Sequence, residues 1–377
     1  MPTFAIDCRY ITGRPSGIGS YVQGLVDWLP DLAPDLEFLL LRAPTAPAPL
    51  SNRPNVREQV VRAVSSGPTT MWALPMVVDL RGVDVFHAPF NIHPAWLEMP
   101  VITTVHDTMW VQTPELCRRP GPWGHIESFY WGHGLRRALR DSALLLTVSE
   151  ASRQAIGTFD PAAAARTRVT PLGVDPTLRP MRGPEDEAIL AKLRRDRLAG
   201  VGTYVLSVGQ FSGYKNHEGV LRAFARAFRD RPDVHLVMVH RLGSSSRLIP
   251  LMKQLGIGSR VLFLHGLSDD ELRALFWGAA SLCHPSWIEG FGLPVAEAMA
   301  CGCPVITSDV SAMPEVAGGA ALLVHPADES SIVAALRRVV DDPALREDLR
   351  ARGLRRAASF QRRTTAERTL AAYRELV

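Results

Sequence analysis

Short runs of apolar residues, each of strand length, recur along the whole chain. They cover residues 3–7, 37–41, 83–87, 101–105, 144–149 and 169–174 in the first half, and residues 204–209, 234–239, 261–264, 280–284 and 305–307 in the second. The runs are nearly continuous in apolar character, which is typical of parallel strands that are buried on both faces. Helical stretches separate them. The pattern therefore predicts an α/β protein with doubly wound parallel sheets.

The length of the chain predicts two domains. A chain of 377 residues is too long for one typical core. Residues 175–184 contain three prolines and a glycine and therefore suit a hinge, so we place an N-terminal domain at residues 1–175 and a C-terminal domain at 176–360. Residues 42–54 are rich in proline and predict a surface loop.

Composition narrows the class of protein. Apolar residues make up 46% and charged residues 21% of the chain, as in soluble globular proteins. No apolar stretch is long enough to span a bilayer and the first ten residues do not resemble a signal sequence. Five scattered cysteines indicate a reduced, cytoplasmic protein, and Cys301 and Cys303 are expected to be small buried residues because no second ligand pair follows them. The net charge of +4 gives little support to nucleic-acid binding.

Residues 285–297 are the strongest candidate for a ligand site. They connect an apolar strand to a helical stretch through a loop with two glycines. Glycine backbone and a helix N-terminus favour an anion such as phosphate. Glu289 and Glu297 would repel phosphate unless they accept hydrogen bonds from hydroxyl groups, and a sugar nucleotide carries both phosphate and hydroxyls. Alternatively, both glutamates interact only with the helix dipole.

Two further stretches at strand ends contain candidate ligand-binding residues. Gly17 and Gly19 stand between the first strand and the first helix, where they could cradle phosphate, although the third glycine of a dinucleotide fingerprint is missing. His106 and Asp107 follow the strand at residues 101–105, at the edge where open α/β sheets bind ligands. On sequence alone, a merely structural role is the favoured interpretation of this histidine.

Residues 117–140 combine aromatic side chains with arginines. The aromatic residues are Trp123, Phe129, Tyr130 and Trp131, and the arginines are Arg118, Arg119, Arg136, Arg137 and Arg140. Such a mixture could form a surface that faces a membrane. The alternative is that the aromatic residues belong to the core or to a lid and the arginines are simply solvated.

The run EGFGLPVAEAMACGCPVITSD, followed by MPEVAGGAALLVHPAD, resembles the C-terminal signature of the retaining GT-B glycosyltransferases of family 4. The resemblance implies two Rossmann-like domains that face a central cleft, with the C-terminal helix (residues 361–377) crossing back to the N-terminal domain. It also implies that the C-terminal domain binds a nucleotide-sugar donor and that the N-terminal domain brings the acceptor.

The resemblance assigns roles to individual residues. It implies that His106, Asp107 and Glu289 act at the reacting sugar. The implied donor-binding residues are Gly17, Gly19, Gln210, Lys215, Asn216, Gly290, Phe291, Gly292, Leu293 and Glu297. Many members carry an arginine where this chain has Gln210, so either Lys215 neutralises the diphosphate with backbone help or another cation, such as Arg241, contributes. Residues 240–243 also depart from the glycine-rich turn usual in the family.

The expected activity is transfer of a hexose, with retention, from a nucleoside diphosphate sugar. We favour GDP-mannose because the lysine–asparagine loop resembles mannosyl- and rhamnosyltransferase members. We expect no metal, because the chain has no Asp-x-Asp sequence and the candidate phosphate ligands are cationic or backbone groups, and we expect no cofactor. The expected acceptor is a saccharide, lipid-linked, used by a peripheral protein at the inner face of a membrane. The alternatives are a soluble small-molecule acceptor, an epimerase or phosphorylase on the same fold, and a catalytically silent sugar-nucleotide-binding protein.

Overall fold

The chain divides into two compact units. The computed structural model describes residues 1–13, 16–119, 121–239 and 248–377. Unit 1 consists of Met1–Gly173 and Phe360–Val377, and unit 2 of Val174–Ser359. The first boundary lies directly before the segment with three prolines and a glycine.

Unit 1 is built on a parallel sheet. Its strands are β1 (Thr3–Asp7), β2 (Glu37–Arg42), β3 (Val56–Val60), β4 (Val85–Ala88), β5 (Val101–Val105), β6 (Leu144–Thr147) and β7 (Thr167–Val169). Its helices before the boundary are α1 (Gly17–Leu32), α2 (Pro68–Ala73), α3 (Met109–Gln112), α4 (Pro114–Cys117), α5 (Pro122–Asp141), α6 (Glu150–Phe159) and α7 (Pro161–Ala165). The sheet order is β3-β2-β1-β4-β5-β6-β7, which is a doubly wound arrangement that reverses direction between β1 and β4.

Unit 2 repeats this architecture. Its strands are β8 (Thr203–Val208), β9 (Val234–Val239), β10 (Val261–Leu264), β11 (Ser281–His284), β12 (Val305–Ser308) and β13 (Leu322–Val324). Its helices are α8 (Pro184–Asp196), α9 (His217–Ala227), α10 (Ile249–Gln254), α11 (Asp269–Gly278), α12 (Leu293–Ala300), α13 (Met313–Ala317), α14 (Glu329–Asp341) and α15 (Pro343–Ala357). The parallel sheet has the order β10-β9-β8-β11-β12-β13, so it reverses between β8 and β11.

The last helix, α16 (Arg362–Tyr373), returns to unit 1. The ring of Tyr373 stacks on Phe4 of β1 at 4.4 Å between centroids, and Thr365 Oγ1 donates to the carbonyl oxygen of Pro171 at 2.7 Å. Arg362 packs so closely against Gly24 of α1 that a Cβ there would lie 3.2 Å from its Cγ. The predicted return of the C-terminal helix to the N-terminal domain is confirmed.

Three strands differ from the prediction: β13 (Leu322–Val324) lies where no strand was predicted, and β3 and β7 differ as follows. Strand β3 lies in sequence that shows no continuous apolar run, because it is the edge strand of the sheet, pairs only with β2 and is partly exposed along its length. The predicted strand at residues 169–174 is wrong in position: β7 ends at Val169, and the apolar residues Leu172 and Val174 are buried outside any strand. Across the described parts of the chain, no helix has both the length and the apolar character needed to cross a membrane.

Candidate active site

The candidate site in unit 2 lies at the carboxyl ends of β8 and β11, where the sheet reverses direction and where open α/β sheets bind ligands. The loop after β8 ends in a short 3-10 helix, Gly213–Lys215, and the loop after β11 carries Glu289. Lys215 Nζ lies 2.5 Å from Glu289 Oε1, and each side chain is 9% exposed. The topology thus pairs two charges that are 74 residues apart in the chain.

The carboxylate of Glu289 is held by several donors. Besides Lys215, His284 Nε2 and Ser286 Oγ each donate to Oε1 at 3.0 Å. Burial alone would raise the pKa of Glu289, but the charge of Lys215 and the hydrogen bonds from His284 and Lys215 outweigh burial and lower the pKa to about 2. Burial, followed by the charge of Lys215, lowers the pKa of His284. A neutral imidazole and an ammonium group therefore hold an ionised carboxylate.

The backbone of Glu289 is fixed as well. Its N–H donates to Ser311 Oγ at 3.1 Å, and the Ser311 hydroxyl donates to its carbonyl oxygen at 2.6 Å. Within the described residues, the side-chain hydrogen bonds to the Glu289 carboxylate fall on Oε1. Oε2 is therefore the oxygen that can accept from a ligand hydroxyl. The sequence analysis assigned Lys215 and Glu289 to different parts of the donor, whereas the structure pairs them with each other.

Asn216 connects the two loops of this site. Its Nδ2 donates to the carbonyl oxygens of Pro285 at 3.1 Å and Pro326 at 3.0 Å, which uses both amide hydrogens. The residue has φ +56° and lies between the 3-10 helix and α9. Gly219 is required beside it, because a Cβ there would come within 2.4 Å of Asn216 Oδ1. Asn216 thus positions Lys215, while its predicted contact with the donor stays a prediction.

The glycine loop leads into α12. Gly292 has φ +88°, which favours glycine, and a Cβ at this position would lie 2.8 Å from the sulfur of Met313. Leu293 is the first residue of α12, and Glu297 is half-buried one turn further along the helix. Gly290 is buried and the side chain of Phe291 belongs to the core at 4% exposure, so these two residues could approach a ligand only through their backbone.

Gln210 does not replace the charge of the expected arginine. It is exposed, and its backbone carbonyl accepts from His217 Nε2 at 3.1 Å. Arg241, the other candidate cation, and the rest of residues 240–243 lie outside the described residues.

The candidate site in unit 1 lies at the carboxyl ends of the neighbouring strands β4 and β5. His106 and Asp107 follow β5, and Asn91 follows β4. Asn91 Oδ1 accepts from the N–H of His106 at 3.0 Å, and Asn91 Nδ2 donates to the carbonyl oxygen of Asp107 at 3.1 Å. Asp107 Oδ1 accepts from the N–H of Met109 at 3.2 Å at the start of α3. The sequence analysis missed Asn91. It could have been found because it is a polar residue that closely follows a buried strand.

The hydrogen bonds of His106 define its tautomer. Nε2 lies 2.9 Å from the carbonyl oxygen of Pro89. A carbonyl can only accept, so Nε2 carries the proton and Nδ1 has the lone pair. Burial lowers the pKa of His106 to about 4, although the bond to Pro89 opposes this shift. At neutral pH, His106 is therefore a neutral group that can accept a hydrogen bond at Nδ1.

A buried network lies behind His106. The Tyr21 ring meets the His106 ring edge-on, with centroids 5.2 Å apart. Tyr21 OH contacts Thr104 Oγ1 at 3.0 Å, Thr104 contacts His87 Nε2 at 2.8 Å, and His87 Nδ1 contacts Tyr373 OH at 2.6 Å. Because Tyr373 belongs to α16, the C-terminal helix is linked through hydrogen bonds to the packing behind His106.

The two glycines at the start of α1 differ. Gly19 is buried, its N–H donates to the capping Ser16 Oγ at 3.1 Å, and a Cβ here would lie 2.6 Å from the carbonyl oxygen of Tyr10. A Cβ on Gly17 would meet nothing within 4 Å. Gly19 is thus explained by packing, and Gly17 is the glycine with room for a ligand.

Comparison with known proteins shows the family of this chain. The sequence profile of glycosyl transferases group 1 matches residues 193–356, and that of glycosyltransferase family 4 matches residues 15–178. O-antigen chain mannosyltransferase B of Escherichia coli is 32% identical over 307 residues, which cover 81% of this chain and 77% of that protein. The chain belongs to the group 1 glycosyltransferases of family 4.

A second relative and a solved structure extend this comparison. The glycosyltransferase is 37% identical over 248 residues to MMP alpha-(1->4)-mannosyltransferase of Mycolicibacterium hassiacum, covering 64% of this chain and 56% of that protein. Sucrose-phosphate synthase from Thermosynechococcus elongatus has the same fold, with a TM-score of 0.75 and 21% identity over 100% of this chain and 99% of that chain. The predicted GT-B class of two Rossmann-like units is confirmed.

Proposed function

We propose that this glycosyltransferase moves a mannosyl group, with retention and without a metal ion, from a nucleoside diphosphate sugar to a saccharide acceptor. The observation that carries the proposal is the buried Lys215–Glu289 pair, which stands beside a glycine loop and a helix start in unit 2. Mannose as the sugar is supported by the names of the two relatives, both mannosyltransferases. Unit 2 is proposed to bind the donor and unit 1 the acceptor.

The donor diphosphate is proposed to meet Lys215 and the N–H of Leu293 at the start of α12, because Pro294 has no N–H and the N–H of Val295 donates to the carbonyl oxygen of Gly292 at 2.9 Å. As the glycosidic bond breaks, negative charge grows on the diphosphate. A cation and aligned N–H groups fixed beforehand stabilise this charge without reorganisation. Because Lys215 is already paired with Glu289, the diphosphate would have to share the ammonium group, which has three donor hydrogens.

The transferred sugar is proposed to be held by Glu289 and His106. Glu289 Oε2 would accept from its hydroxyl groups, and neutral His106 would accept at Nδ1. Glu297 on α12 would accept from the ribose hydroxyls. Asp107 is proposed to act through the backbone conformation that its side chain supports at the start of α3.

Donor identity, stereochemistry and metal dependence can be tested together. Purified protein is incubated with GDP-mannose, UDP-glucose or GDP-glucose and a mannosyl acceptor, with excess chelator in parallel samples, and the anomeric configuration of the product is read by NMR. We expect an α-mannoside formed from GDP-mannose with unchanged rate in chelator. An inverted product, or activity that returns only with magnesium or manganese, would contradict the proposal.

The acceptor is proposed to be a lipid-linked saccharide, used by the protein at a membrane surface. The exposed side chain of Phe129 and the arginines of residues 118–140 support this. Flotation with anionic liposomes is expected to carry the protein to the lipid fraction. If the protein stays behind and glycosylates a small soluble molecule efficiently, a soluble acceptor replaces the lipid-linked one.

The two glutamates should have separable roles. Glu297→Ala should weaken binding of the free nucleoside diphosphate, because each charge-assisted hydrogen bond lost is worth about 1.5–3 kcal/mol. Glu289→Gln should lower turnover, with binding of the nucleoside diphosphate retained, because Lys215 remains available to the phosphate. Calorimetry with the nucleoside diphosphate and steady-state kinetics measure both effects, and the reverse pattern would sink the assignment.

A further inference from the structure

An open groove runs along the surface of unit 1 beside the N-terminal half of α5. It has a volume of about 370 Å³ and is lined by Ser66, Arg119, Trp123, Glu127, Tyr130 and Trp131 among others. We call it the Trp123 groove. The indole of Trp123 is 76% exposed, so a large apolar surface faces the groove without being covered by the described part of the chain.

The wall opposite α5 is held rigidly. The four successive carbonyl oxygens of residues 63–66 accept hydrogen bonds from Arg9 Nη1 at 2.9 Å, Thr70 Oγ1 at 2.8 Å, Tyr10 OH at 3.2 Å and Tyr130 OH at 2.8 Å, respectively. Arg9 is itself fixed by a buried ion pair with Asp7 at the end of β1. The groove therefore exists before any ligand binds, as small-molecule sites commonly do.

The Trp123 groove lies near the candidate site of unit 1. The ring of Phe90 lies 6.3 Å from the ring of His106 on one side and 5.6 Å from the ring of Trp131 on the other. Two ring contacts thus connect His106 to the groove. Both features use loops at the carboxyl edge of the same sheet, where ligands of α/β proteins bind.

The lining combines flat aromatic surface with charge. Arg119 Nε and Glu127 Oε2 lie 3.9 Å apart in a loose, partly exposed ion pair beside the aromatic rings. A sugar ring matches this chemistry, since it has an apolar C–H face for an indole and a rim of hydroxyls that hydrogen-bond to a guanidinium or a carboxylate. An acyl chain would leave both charges without hydrogen-bond partners, and an anionic headgroup would meet Glu127.

We propose that the Trp123 groove binds acceptor sugars beyond the one that is glycosylated, namely the sugar residues to which that terminal sugar is linked. The enzyme then prefers acceptors of several sugars to a single one. This inference rests on the proposed function in that the acceptor is a saccharide, but binding to the groove does not require transfer.

The test compares acceptors of increasing length. With methyl α-mannoside, α-mannobiose, α-mannotriose and α-mannotetraose, KM should fall by roughly tenfold along the series. Trp123→Ala should abolish this gain, and Glu127→Gln should reduce it. Phe129→Ala is the matched control, because Phe129 is 72% exposed on the same helix but does not line the groove, and it should keep the full length dependence.

Calorimetry with α-mannotetraose in the absence of donor separates this inference from the proposed function. Binding that depends on Trp123 supports the groove even if no mannose is transferred. Transfer with equal KM for all four acceptors would overturn the inference and leave the function standing. Equal loss of the length dependence in Trp123→Ala and Phe129→Ala, accompanied by loss of liposome binding in both, would also overturn it and assign the groove itself to the membrane-binding surface.

Discussion

The candidate site of unit 2 is built around a buried pair of opposite charges, whereas the groups that contact His106 in unit 1, such as Asn91 and Tyr21, are neutral. In unit 2, Lys215 and Glu289 form a buried ion pair, and the pKa of the carboxyl is lowered to about 2. In unit 1, burial lowers the pKa values of His87 to about 3 and of His106 to about 4, so both imidazoles are neutral at pH 7.

This difference agrees with the ligands that the two sites are proposed to bind. A donor diphosphate carries charge and requires a cation, and a buried cation requires a counter-charge while the ligand is absent. A sugar hydroxyl, whether of the transferred sugar or of the acceptor, carries no charge and requires only an oriented lone pair or N–H group. The two sites should therefore lose stability under different changes. The site of unit 2 should be destabilised when one charge of its ion pair is removed, and the site of unit 1 when a charge is added.

The largest effect is expected from Lys215→Met. This change leaves Glu289 buried without its cation, and breaking such a pair costs about 3–5 kcal/mol. The free energy of unfolding, measured with urea, should fall by this amount, and transfer should be lost. Hydrogen exchange should locate the loosening in α12 and the 3-10 helix before Asn216.

The double variant Lys215→Met with Glu289→Gln is the control for that prediction. It removes both charges, so most of the stability should return while transfer stays absent. If Lys215→Met were as stable as the wild type, the ion pair would not stabilise the fold. The proposed contrast between a charged site in unit 2 and a neutral site in unit 1 would then have no effect on stability.

The second effect is a loss of stability in unit 1 on mild acidification. The pKa of His106 is about 4 in the folded protein, against an ordinary value of 6.5. As the pH falls below 6.5, His106 binds a proton in the unfolded chain but not in the folded chain. Stability is therefore lost between about pH 6.5 and 4. Between pH 7 and 5 the loss from His106 is about 2 kcal/mol.

Burial also lowers the pKa values of His87 and of His93, the latter to about 4, so these histidines act in the same direction. His284 of unit 2 shares this direction. Glu289 behaves differently, because its folded pKa lies below 4.5, and its contribution is lost only as the pH falls from about 4.5 towards 2. Hydrogen exchange at pH 7 and 5, corrected for intrinsic rates, should show β4 and β5 losing protection first; equal protection at both pH values would refute this.

The third effect concerns the link from α16 to His106. Tyr373→Phe keeps the ring that stacks on Phe4 but removes the hydroxyl bonded to His87 Nδ1 at 2.6 Å. The buried nitrogen is left unsatisfied, at a cost of about 1–3 kcal/mol. Thermal unfolding should show the loss, and kcat should fall moderately because Tyr21 packs less firmly on His106. An unchanged kcat at lower stability would show that the network supports the fold alone.

The fold was largely predictable from the sequence. Buried parallel strands are continuous apolar runs, so most strands of both sheets are visible in the sequence, and the tail with Leu370 and Tyr373 has helical spacing. Strand β3 was not predictable from its own residues, because an edge strand is stabilised by pairing with its neighbour and can remain polar.

The sequence indicated the candidate residues of each site, but it did not indicate which of their side chains contact each other. Lys215 and Glu289 were identified from loops at strand ends, yet the ion pair between them depends on β8 and β11 being neighbours, which no local pattern encodes. The clamp of Asn91 on the backbone of His106 and Asp107 has the same origin. Side-chain pairing across a sheet needs the strand order, and the strand order comes from tertiary packing.

The smallest effect on stability, and the test of the predicted phosphate contact at the start of α1, is expected from Gly17→Ala. A Cβ at Gly17 meets nothing within 4 Å, and alanine is the better helix former by up to about 1 kcal/mol, so the folded protein should be unchanged or slightly stabilised. Gly19→Ala provides the contrast, because its Cβ would lie 2.6 Å from the Tyr10 carbonyl oxygen, and it should destabilise unit 1. If Gly17 borders the donor phosphates, the stable Gly17→Ala protein should show a raised KM for the donor; an unchanged donor KM would remove Gly17 from the donor site.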